Sequence, residues 1–537
     1  MLQQTKRLHS HTHKQNHQHN HRIHMLRRTK QNIPVNENQN KRRRRKPVRL
    51  RHQRTTRRET RKNAHTHMGL KEGRGENFFF WITTSERRCF GINPDVFKAY
   101  DVRGVYPSEI NEEVGVAVAK AFSFFLNADR LVVGRDARVS SPLLHKAVLS
   151  ALIEVGVEVC DIGVCTTPLL SYSVAKKGFA GGIMISASHN PPEYNAFKLI
   201  RSPCIQLSSP GGLDEVKKLA LNPGIKEEVK ERRGRVEELS ILGEYVNELC
   251  DKFVEIKGAG LRVVVDYGNG MGSITAKPVF EKLGVEVIPL YEEVDCTFPN
   301  HPANPVDERN VEELRKVVVE EEADLGLAFD GDADRAFCVD ETGRIIYPDI
   351  ITAILVPFEL RGRSDKRVYY DLRFSRVVED VLKKNHGKGV MMRVGNPFYK
   401  EKLLREGGVF AAELSGHMMF QDHYCIDDGL YSALKVMRAM ILSKKKLSEM
   451  AKPLMRYYQS PEISVRVAKP DAILQRVKRA FSDGRLLDID GVYVEYPDWW
   501  FSLRKSNTEP VVRLRLEADS KEKLEEMKEK ILGMIKG

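Results

Sequence analysis

The first of four segments that could do chemistry contains a serine in a loop that prolines interrupt. Residues 181–198 read GGIMISASHNPPEYNAFK. The apolar run predicts a strand, and the double proline blocks further helix or sheet, so we expect Ser188 at the carboxyl edge of a sheet. Ser188 is then either an ordinary loop cap or a nucleophile that carries a transferable group. The segment has no GxSxG elbow, so a hydrolase triad is not supported.

The second segment places three carboxylates at alternate positions between two apolar runs. It reads Asp330-Gly331-Asp332-Ala333-Asp334-Arg335. Like charges this close repel strongly without a cation, and carboxylate oxygens are the ligands of hard cations, so we predict a metal site. An EF-hand is excluded because Arg335 stands where its sharp turn needs glycine and the flanks read as strands. A solvated acidic turn remains the alternative.

Two further segments offer groups that bind sugars and anions. Glu413-Leu414-Ser415-Gly416-His417 could hold adjacent sugar hydroxyls through its carboxylate and hydroxyl, although alone this signal is weak. Residues 504–510 read RKSNTEP, and arginines recur at 513 and 515. Hydroxyls, an amide, turn N–H groups and the planar Arg504 guanidinium would form a nest for phosphate. A structural turn with surface arginines is the alternative. The glycines at 268–272 predict a tight turn and not a nucleotide loop.

These segments lie in a chain where apolar runs alternate with amphipathic stretches. Residues 131–134 predict a strand, 143–155 a helix and 157–159 the next strand, and this rhythm indicates α/β units with parallel or mixed sheets. It recurs at 262–266 with 278–283 and at 368–372 with 377–383.

The last part of the chain has a different pattern, typical of a small α+β domain. Residues 464–467, 492–495 and 511–516 alternate as half-buried strands, and residues 521–535 predict a charged amphipathic helix. A break near residues 459–461 separates this domain from the α/β part.

The net charge of +14 is concentrated at the N-terminus. Residues 1–92 carry 24 Lys and Arg against 5 Asp and Glu, so the rest, with 63 basic and 68 acidic side chains, has a net charge of −5. We expect this His-rich extension to be disordered, because it has few apolar side chains to bury. It either binds nucleic acid or anionic membrane through charge alone, or is non-native coding sequence without a function.

The positions of the cysteines and the hydropathy of the sequence indicate the cellular compartment. The eight cysteines show no CxxC pair or ligand spacing, and no apolar run approaches the roughly 18 residues that span a bilayer. We therefore expect a cytoplasmic protein without a zinc site, a disulfide framework or a membrane span.

The four motifs, in this order, resemble the α-D-phosphohexomutase superfamily, in particular its phosphomannomutase/phosphoglucomutase branch. The resemblance covers about residues 94–537. Supporting matches are KAYDVRG at 98–104, GRD at 134–136, FPN at 298–300 and DDG at 427–429.

The resemblance implies three related mixed α/β domains and a small C-terminal α+β domain around a central cleft. We expect the extension at 1–92, domain I with the serine loop at 93–238 and domain II with the metal loop at 239–346. Domain III with the sugar loop is expected at 347–457, and the phosphate-binding domain at 458–537.

The resemblance also implies roles for individual residues. Ser188 resembles the serine that carries the phosphoryl group, and Asp330, Asp332 and Asp334 the ligands of Mg²⁺, with a phosphoserine oxygen as a further ligand. Residues that match those around the phosphoserine and the transferring groups are Arg103, His189, Lys198, Arg335 and Arg373. Residues that match the sugar grip are Glu413, Ser415 and His417, and those that match the site of the non-reacting phosphate are Arg504, Ser506, Asn507, Thr508 and Arg515.

The implied reaction exchanges hexose 1-phosphate and hexose 6-phosphate through a hexose 1,6-bisphosphate. Mannose is the expected sugar and glucose a second one, since Glu413 and Ser415 would grip hydroxyls away from C2. A phosphoglucosamine mutase is the alternative, opposed by Asn507 where that branch usually has glycine. An alternative from another functional class is a nucleic-acid-binding protein. In that case the basic N-terminal extension would bind nucleic acid, and the rest of the chain would have lost its enzymatic activity.

Two positions depart from the family pattern. Asn396 stands where many relatives have a histidine that is proposed to transfer protons, and Asn396 cannot act as an acid or base, so Lys198 or a water would have to do so. Ala196 replaces a glycine after Asn195, which is a small change.

Overall fold

The chain is described by a computed structural model over residues 91–222, 233–506 and 511–536. The basic extension therefore lies outside the described residues except for its last two positions, as do Asn507 and Thr508 of the expected phosphate nest. In the described part no helix combines the length and apolarity needed to cross a membrane.

The first unit surrounds a seven-stranded sheet. Its strands are β1 (Val102–Val105), β2 (Arg130–Arg135), β3 (Glu158–Val164), β4 (Gly181–Ile185), β5 (Tyr194–Arg201), β6 (Ile205–Gln206) and β7 (Val236–Glu238). Its helices are α1 (Glu112–Leu126), α2 (Ser141–Glu154), α3 (Thr167–Lys177) and α4 (Leu213–Leu221). The strand order is β1-β5-β4-β2-β3-β7, with β6 on β5.

The second unit has a five-stranded sheet of order β12-β11-β10-β8-β9. These strands are β8 (Arg262–Asp266), β9 (Glu286–Leu290), β10 (Leu325–Phe329), β11 (Ala336–Asp340) and β12 (Ile345–Ile346). The helices are α5 (Leu242–Lys252), α6 (Gly272–Leu283) and α7 (Glu312–Glu320). The sequence predicts that helix α6 starts at Pro278, but the helix begins six residues earlier, at Gly272. The reason is that the buried side chains before and after the proline form one continuous packed face.

The third unit has a four-stranded sheet of order β14-β13-β15-β16. These strands are β13 (Arg367–Asp371), β14 (Lys388–Met392), β15 (Phe410–Ala412) and β16 (Met418–Phe420). The helices are α8 (Pro348–Glu359), α9 (Val377–Lys384), α10 (Asn396–Glu406), α11 (Gly429–Ser443) and α12 (Leu447–Ala451). Helix α11 starts where the Asp428 carboxylate accepts a hydrogen bond from the backbone N–H of Tyr431.

The C-terminal unit is an antiparallel sheet with two helices. Its strands are β17 (Tyr458–Gln459), β18 (Ile463–Arg466), β19 (Arg485–Leu487), β20 (Val492–Glu495), β21 (Trp499–Lys505) and β22 (Val511–Ala518). Helices α13 (Pro470–Ala480) and α14 (Lys521–Lys536) pack on its own core, which confirms the α+β prediction.

The first three units repeat one arrangement of four strands. In the orders β3-β2-β4-β5, β9-β8-β10-β11 and β14-β13-β15-β16, the first three strands are parallel and the fourth is antiparallel. The prediction of three related mixed α/β domains is thereby confirmed.

This repeat places three of the chemical segments at equivalent points. In each unit the loop between the last two strands of the repeat carries one of them: Ser188 between β4 and β5, the aspartates between β10 and β11, and residues 413–417 between β15 and β16. All three loops start at the carboxyl end of a parallel strand, where α/β sheets place ligands.

Candidate active site

Ser188 lies against the aspartate loop of the second unit. Its Oγ donates a hydrogen bond of 2.8 Å to Asp330 Oδ2, although the two residues are 142 positions apart. The residue is buried, and its φ of 50° lies in the left-handed region, which is uncommon for a residue with a side chain. Its N–H donates to Ser186 Oγ at 3.1 Å. The left-handed backbone of Ser188 thus directs its hydroxyl toward the carboxylates, and neighbouring residues must stabilise this backbone conformation.

The three aspartates form a buried acidic cluster. A carboxylate oxygen from each lies within 4.8 Å of the others, and all three residues are at most 3% exposed. Burial, followed by the charges of Asp334 and Asp332, raises the pKa of Asp330 to about 7 against the opposing effect of Arg335. Asp332 Oδ1 and Asp334 Oδ1 accept no hydrogen bond from the described residues, although Asp334 Oδ1 lies 3.4 Å from His417 Nε2 in an ion pair. Buried carboxylate oxygens of this kind fit a metal ion.

Lys198 and Arg335 are the cations closest to this cluster. Lys198 Nζ lies 2.6 Å from Asp332 Oδ2 and 3.0 Å from Asp334 Oδ2. Burial would lower the pKa of Lys198, but the two carboxylates raise it above the usual range. Arg335 donates to Asp330 Oδ2 through Nε at 3.0 Å and Nη2 at 2.8 Å. The structure thus brings both predicted cations to the aspartates.

His189 is a neutral acceptor beside the serine. Its Nδ1 lies 2.7 Å from Arg335 Nη2 and 3.3 Å from Ser188 Oγ. Burial, then the charges of Arg335 and Arg103, holds the pKa of His189 well below its usual range. Arg103 donates to Asp101 at 2.5 Å and to the Asn190 side chain. A guanidinium group therefore lies on each side of the serine loop.

The sugar-loop residues face the same cleft from the third unit. Ser415 Oγ is 2.8 Å from His417 Nδ1, and His417 Nε2 is 3.4 Å from Asp334 Oδ1. Burial would lower the pKa of His417, but the Asp334 and Glu413 carboxylates raise it to about 10. Glu413 Oε1 accepts the backbone N–H of Gly395 at 3.0 Å. His417 thus connects the sugar loop to the aspartate loop.

The C-terminal unit brings part of the expected phosphate nest to the cleft. Arg504 and Ser506 line a cleft of about 320 Å³ together with Ser188, Lys198 and Glu413. Further residues along its wall are Tyr100, Arg103, His189, Arg335, Asn396, Ser415, His417 and Arg513. The lining has five Lys and Arg side chains against the carboxylates of Asp101, Asp334 and Glu413, so the mildly acidic body has a locally cationic cleft, as transfer of phosphoryl groups requires.

Two of the predicted arginines lie beside the cleft and do not line it. Arg515 donates to Gln459 Oε1 at 3.1 Å and lies 3.8 Å from Asp349, and Arg513 lines the cleft in its place. Arg373 donates to Asp371 at 2.9 Å and to Glu462 at 3.0 Å. Arg515 lies two positions after Arg513, which does line the cleft, so residue type alone did not separate these two arginines.

Glu462 is a site residue that sequence reasoning missed. Its carboxylate accepts hydrogen bonds of 3.0 Å from both Arg373 and Arg504, and so joins the third unit to the C-terminal unit. Burial would raise the pKa of Glu462, but Arg373, Arg504 and Arg513 hold it below the usual value. A lone glutamate between two strands carries no motif, so no signal in the sequence marked it.

Asn396 is held by a buried ion pair. Its Nδ2 donates to Asp427 Oδ2 at 2.6 Å, and Asp427 also pairs with the buried Lys400. The neighbouring Gly429 lies so close to the aspartate loop that an added Cβ would be 2.6 Å from the Arg335 carbonyl. The DDG segment at 427–429 thus packs the third unit against the aspartate loop, and it orients the Asn396 amide toward the cleft.

Three like α/β units and an α+β unit around such a cleft make up the architecture of the α-D-phosphohexomutase superfamily. Four family profiles match in order: phosphoglucomutase/phosphomannomutase α/β/α domain I at 94–220, domain II at 243–343, domain III at 347–458 and the C-terminal domain at 462–534. The chain belongs to the phosphoglucomutase/phosphomannomutase family.

Individual relatives agree with this assignment. The chain is 34% identical over 451 residues to a phosphomannomutase/phosphoglucomutase of Pseudomonas aeruginosa, covering 82% of this chain and 95% of that protein. It is 34% identical over 431 residues to a phosphomannomutase of Escherichia coli, covering 79% and 94%. A crystal structure of a family protein from Burkholderia thailandensis superposes with a TM-score of 0.75 at 30% identity, covering 83% and 98%.

Proposed function

We propose that this chain is a phosphohexomutase that interconverts hexose 1-phosphate and hexose 6-phosphate through a phosphorylated Ser188. The observation that carries the proposal is the contact of Ser188 Oγ with Asp330, inside a buried carboxylate cluster that cationic side chains surround. A serine in this environment suits a carrier of phosphoryl groups, since a cation held by the carboxylates, together with Arg335 and Lys198, would neutralise anionic oxygens on Ser188.

In each transfer step the phosphoryl group moves between two oxygens, Ser188 Oγ and a hydroxyl of the sugar. The bond between phosphorus and Ser188 Oγ breaks as a bond to a sugar hydroxyl forms, which gives a hexose 1,6-bisphosphate. After the bisphosphate turns in the cleft, its other phosphoryl group returns to Ser188 Oγ. The hydroxyl proton ends on Ser188 Oγ, which needs a proton once its bond to phosphorus breaks. Asn396 cannot carry that proton, so we assign its transfer to a water molecule or to Lys198, which lines the cleft. Lys198 is held as an ammonium by two carboxylates, so it would give its proton to Ser188 Oγ and regain one from the hydroxyl.

The remaining residues bind and orient. Arg103, His189 and Arg335 surround the phosphoserine, and Glu413, Ser415 and His417 hold sugar hydroxyls. Arg504 and Ser506 bind the phosphate that does not react, with Asn507, Thr508 and Arg515 as further candidates. This distant clamp orients either end of the sugar toward Ser188.

Asp330, Asp332 and Asp334 would hold Mg²⁺, with Ser188 contributing a phosphoserine oxygen. A bound Mg²⁺ supplies neutralisation of the charge that spreads over the transferring group. The support for this assignment is that each of Asp332 and Asp334 has a buried carboxylate oxygen that accepts no hydrogen bond from the described residues.

Asp332→Asn is expected to raise the Mg²⁺ concentration for half-maximal activity at least ~10-fold, because one charged ligand becomes a neutral amide. A Mg²⁺ titration of the initial rate measures it. Glu281→Gln, an exposed carboxylate on α6, is the matched control and should leave the titration unchanged. An unchanged titration in Asp332→Asn would contradict the assignment.

Parallel kinetics with mannose, glucose and glucosamine phosphates test the substrate. With full-length protein, Mg²⁺ and a trace of glucose 1,6-bisphosphate, we expect kcat/KM for mannose 1-phosphate and glucose 1-phosphate within about 10-fold of each other. The reason is that a site discriminates only where it contacts the differing group, and the proposed grip avoids C2. Preference for glucosamine phosphate would favour the alternative, and no turnover of any of the three would contradict the proposal.

The domain bounds 93–238, 239–346, 347–457 and 458–537 remain part of the proposal, supported by the four sheets, each of which falls inside one interval. A cytoplasmic location remains a proposal too. Its support is that the seven cysteines of the described part are all free and buried.

A further inference from the structure

Arg138 is buried directly behind the serine loop. It lies between β2 and α2 and is 1% exposed. Its Nη1 donates to the carbonyl oxygens of Pro191 at 2.7 Å and Tyr194 at 3.0 Å, and its Nη2 to those of Ser188 at 2.8 Å and Asn190 at 2.7 Å. One guanidinium thus binds four carbonyls of the loop that carries the proposed phosphoryl group.

Contacts on two other sides hold the guanidinium itself. Asp136 Oδ2 lies 3.2 Å from Arg138 Nε, and Asp136 also accepts the Arg138 backbone N–H at 3.0 Å and the Ser141 hydroxyl at 2.5 Å. The ring of Phe298, from the second unit, faces the guanidinium at 5.3 Å. The planar fork of arginine suits this role, because it presents several fixed donors at once.

The loop needs such support. Ser188 has a left-handed backbone, which is strained for a residue with a side chain and persists only where the surroundings enforce it. Its carbonyl points at Arg138, whereas its Oγ points at Asp330. A shift of the carbonyl therefore moves the hydroxyl away from the carboxylates.

We infer that Arg138 is a positioning residue that holds Ser188 in line for phosphoryl transfer, and that Phe298 secures it from the second unit. The inference rests on the proposed function of Ser188. Arg138 is absent from the lining of the cleft, so it acts through the loop and does not bind substrate. Its loss should therefore lower kcat and leave KM nearly unchanged.

The test compares Arg138→Lys with Arg135→Lys in full-length protein. Lysine keeps the charge but cannot bind four carbonyls, so we expect kcat to fall about 30- to 100-fold with KM within about three-fold, because small misplacements of reacting groups are costly. The Arg135 side chain donates to the Asp136 carbonyl at 3.0 Å and to none of the four serine-loop carbonyls that Arg138 binds, so its variant should stay within about three-fold of wild type. The rate at which glucose 1,6-bisphosphate phosphorylates Ser188, followed by intact mass, should fall with kcat.

Phe298→Leu is the second variant and keeps every hydrogen bond of Arg138. It should lower kcat about three- to ten-fold at constant KM. Wild-type kcat in a folded Arg138→Lys, or equal losses in kcat and affinity, would overturn the inference. If Arg138→Lys does not fold, wild-type kcat in Phe298→Leu overturns it. Absence of turnover in the wild-type protein would instead refute the proposed function.

Discussion

Replacing Ser188 with alanine is expected to lower interconversion of mannose 1-phosphate and mannose 6-phosphate at least ~10⁴-fold, to the background rate. Without Oγ the proposed carrier of the phosphoryl group between the two oxygens of the sugar is lost. The measurement is the steady-state rate with saturating Mg²⁺ and bisphosphate. Intact mass should also show one phosphoryl group on the wild-type protein after incubation with bisphosphate and none on the variant.

Backbone strain must be separated from loss of the hydroxyl in this experiment. Ser188 has a φ of 50°, so an alanine there could relax the loop as well as remove the oxygen. Ser188→Gly also lacks Oγ but accepts the left-handed conformation without strain, and it should be as inactive as the alanine variant. Ser173→Ala removes the hydroxyl of a buried serine on α3 that donates to the Leu169 carbonyl of the same helix, and this variant should keep wild-type activity. Turnover by the glycine variant would contradict the phosphoserine mechanism.

Local signals predicted the elements well. The strands at Arg262–Asp266 and Val492–Glu495 have the predicted bounds, because buried β-branched runs flanked by turns are read from neighbouring residues alone. The ordered motifs also placed the serine, the aspartates and the sugar loop in one cleft, which the shared strand order of the three α/β units explains.

Pairwise partners could not be predicted in the same way. The contacts of Arg138 with the serine loop and of Glu462 with Arg504 span 42 or more positions, and neither residue occurs in a recognisable pattern. Arg513 and Arg515 are two positions apart on β22, so the strand pattern places both side chains on one face of the sheet. The pattern does not decide which of the two reaches the cleft. These details depend on which distant segments of one unit meet, as for Arg138, or on how two units pack, as for Glu462, and no local periodicity encodes either.

The glycine between the first two aspartates marks a point where two units touch. A Cβ added to Gly331 would lie 2.3 Å from the Ser188 carbonyl oxygen, much closer than any real contact. On its other side the Gly331 carbonyl accepts the backbone N–H of Met271 at 2.9 Å, so the loop cannot move back freely. Gly331 has no left-handed backbone, so space and not conformation requires glycine here.

Gly331→Ala is therefore expected to lower kcat at least ~10²-fold while the protein stays folded. The methyl group would separate Ser188 from Asp330 by roughly an ångström, and misplacement of reacting groups by that distance costs about two orders of magnitude. Gly243→Ala is the matched control, since a Cβ at that glycine of α5 meets no atom within 4 Å, and its activity should not fall. Thermal unfolding of both variants separates misplacement from loss of structure. Wild-type kcat in a folded Gly331→Ala would show that the serine loop and the aspartate loop need not touch during transfer, and would remove the contact on which the proposed function rests.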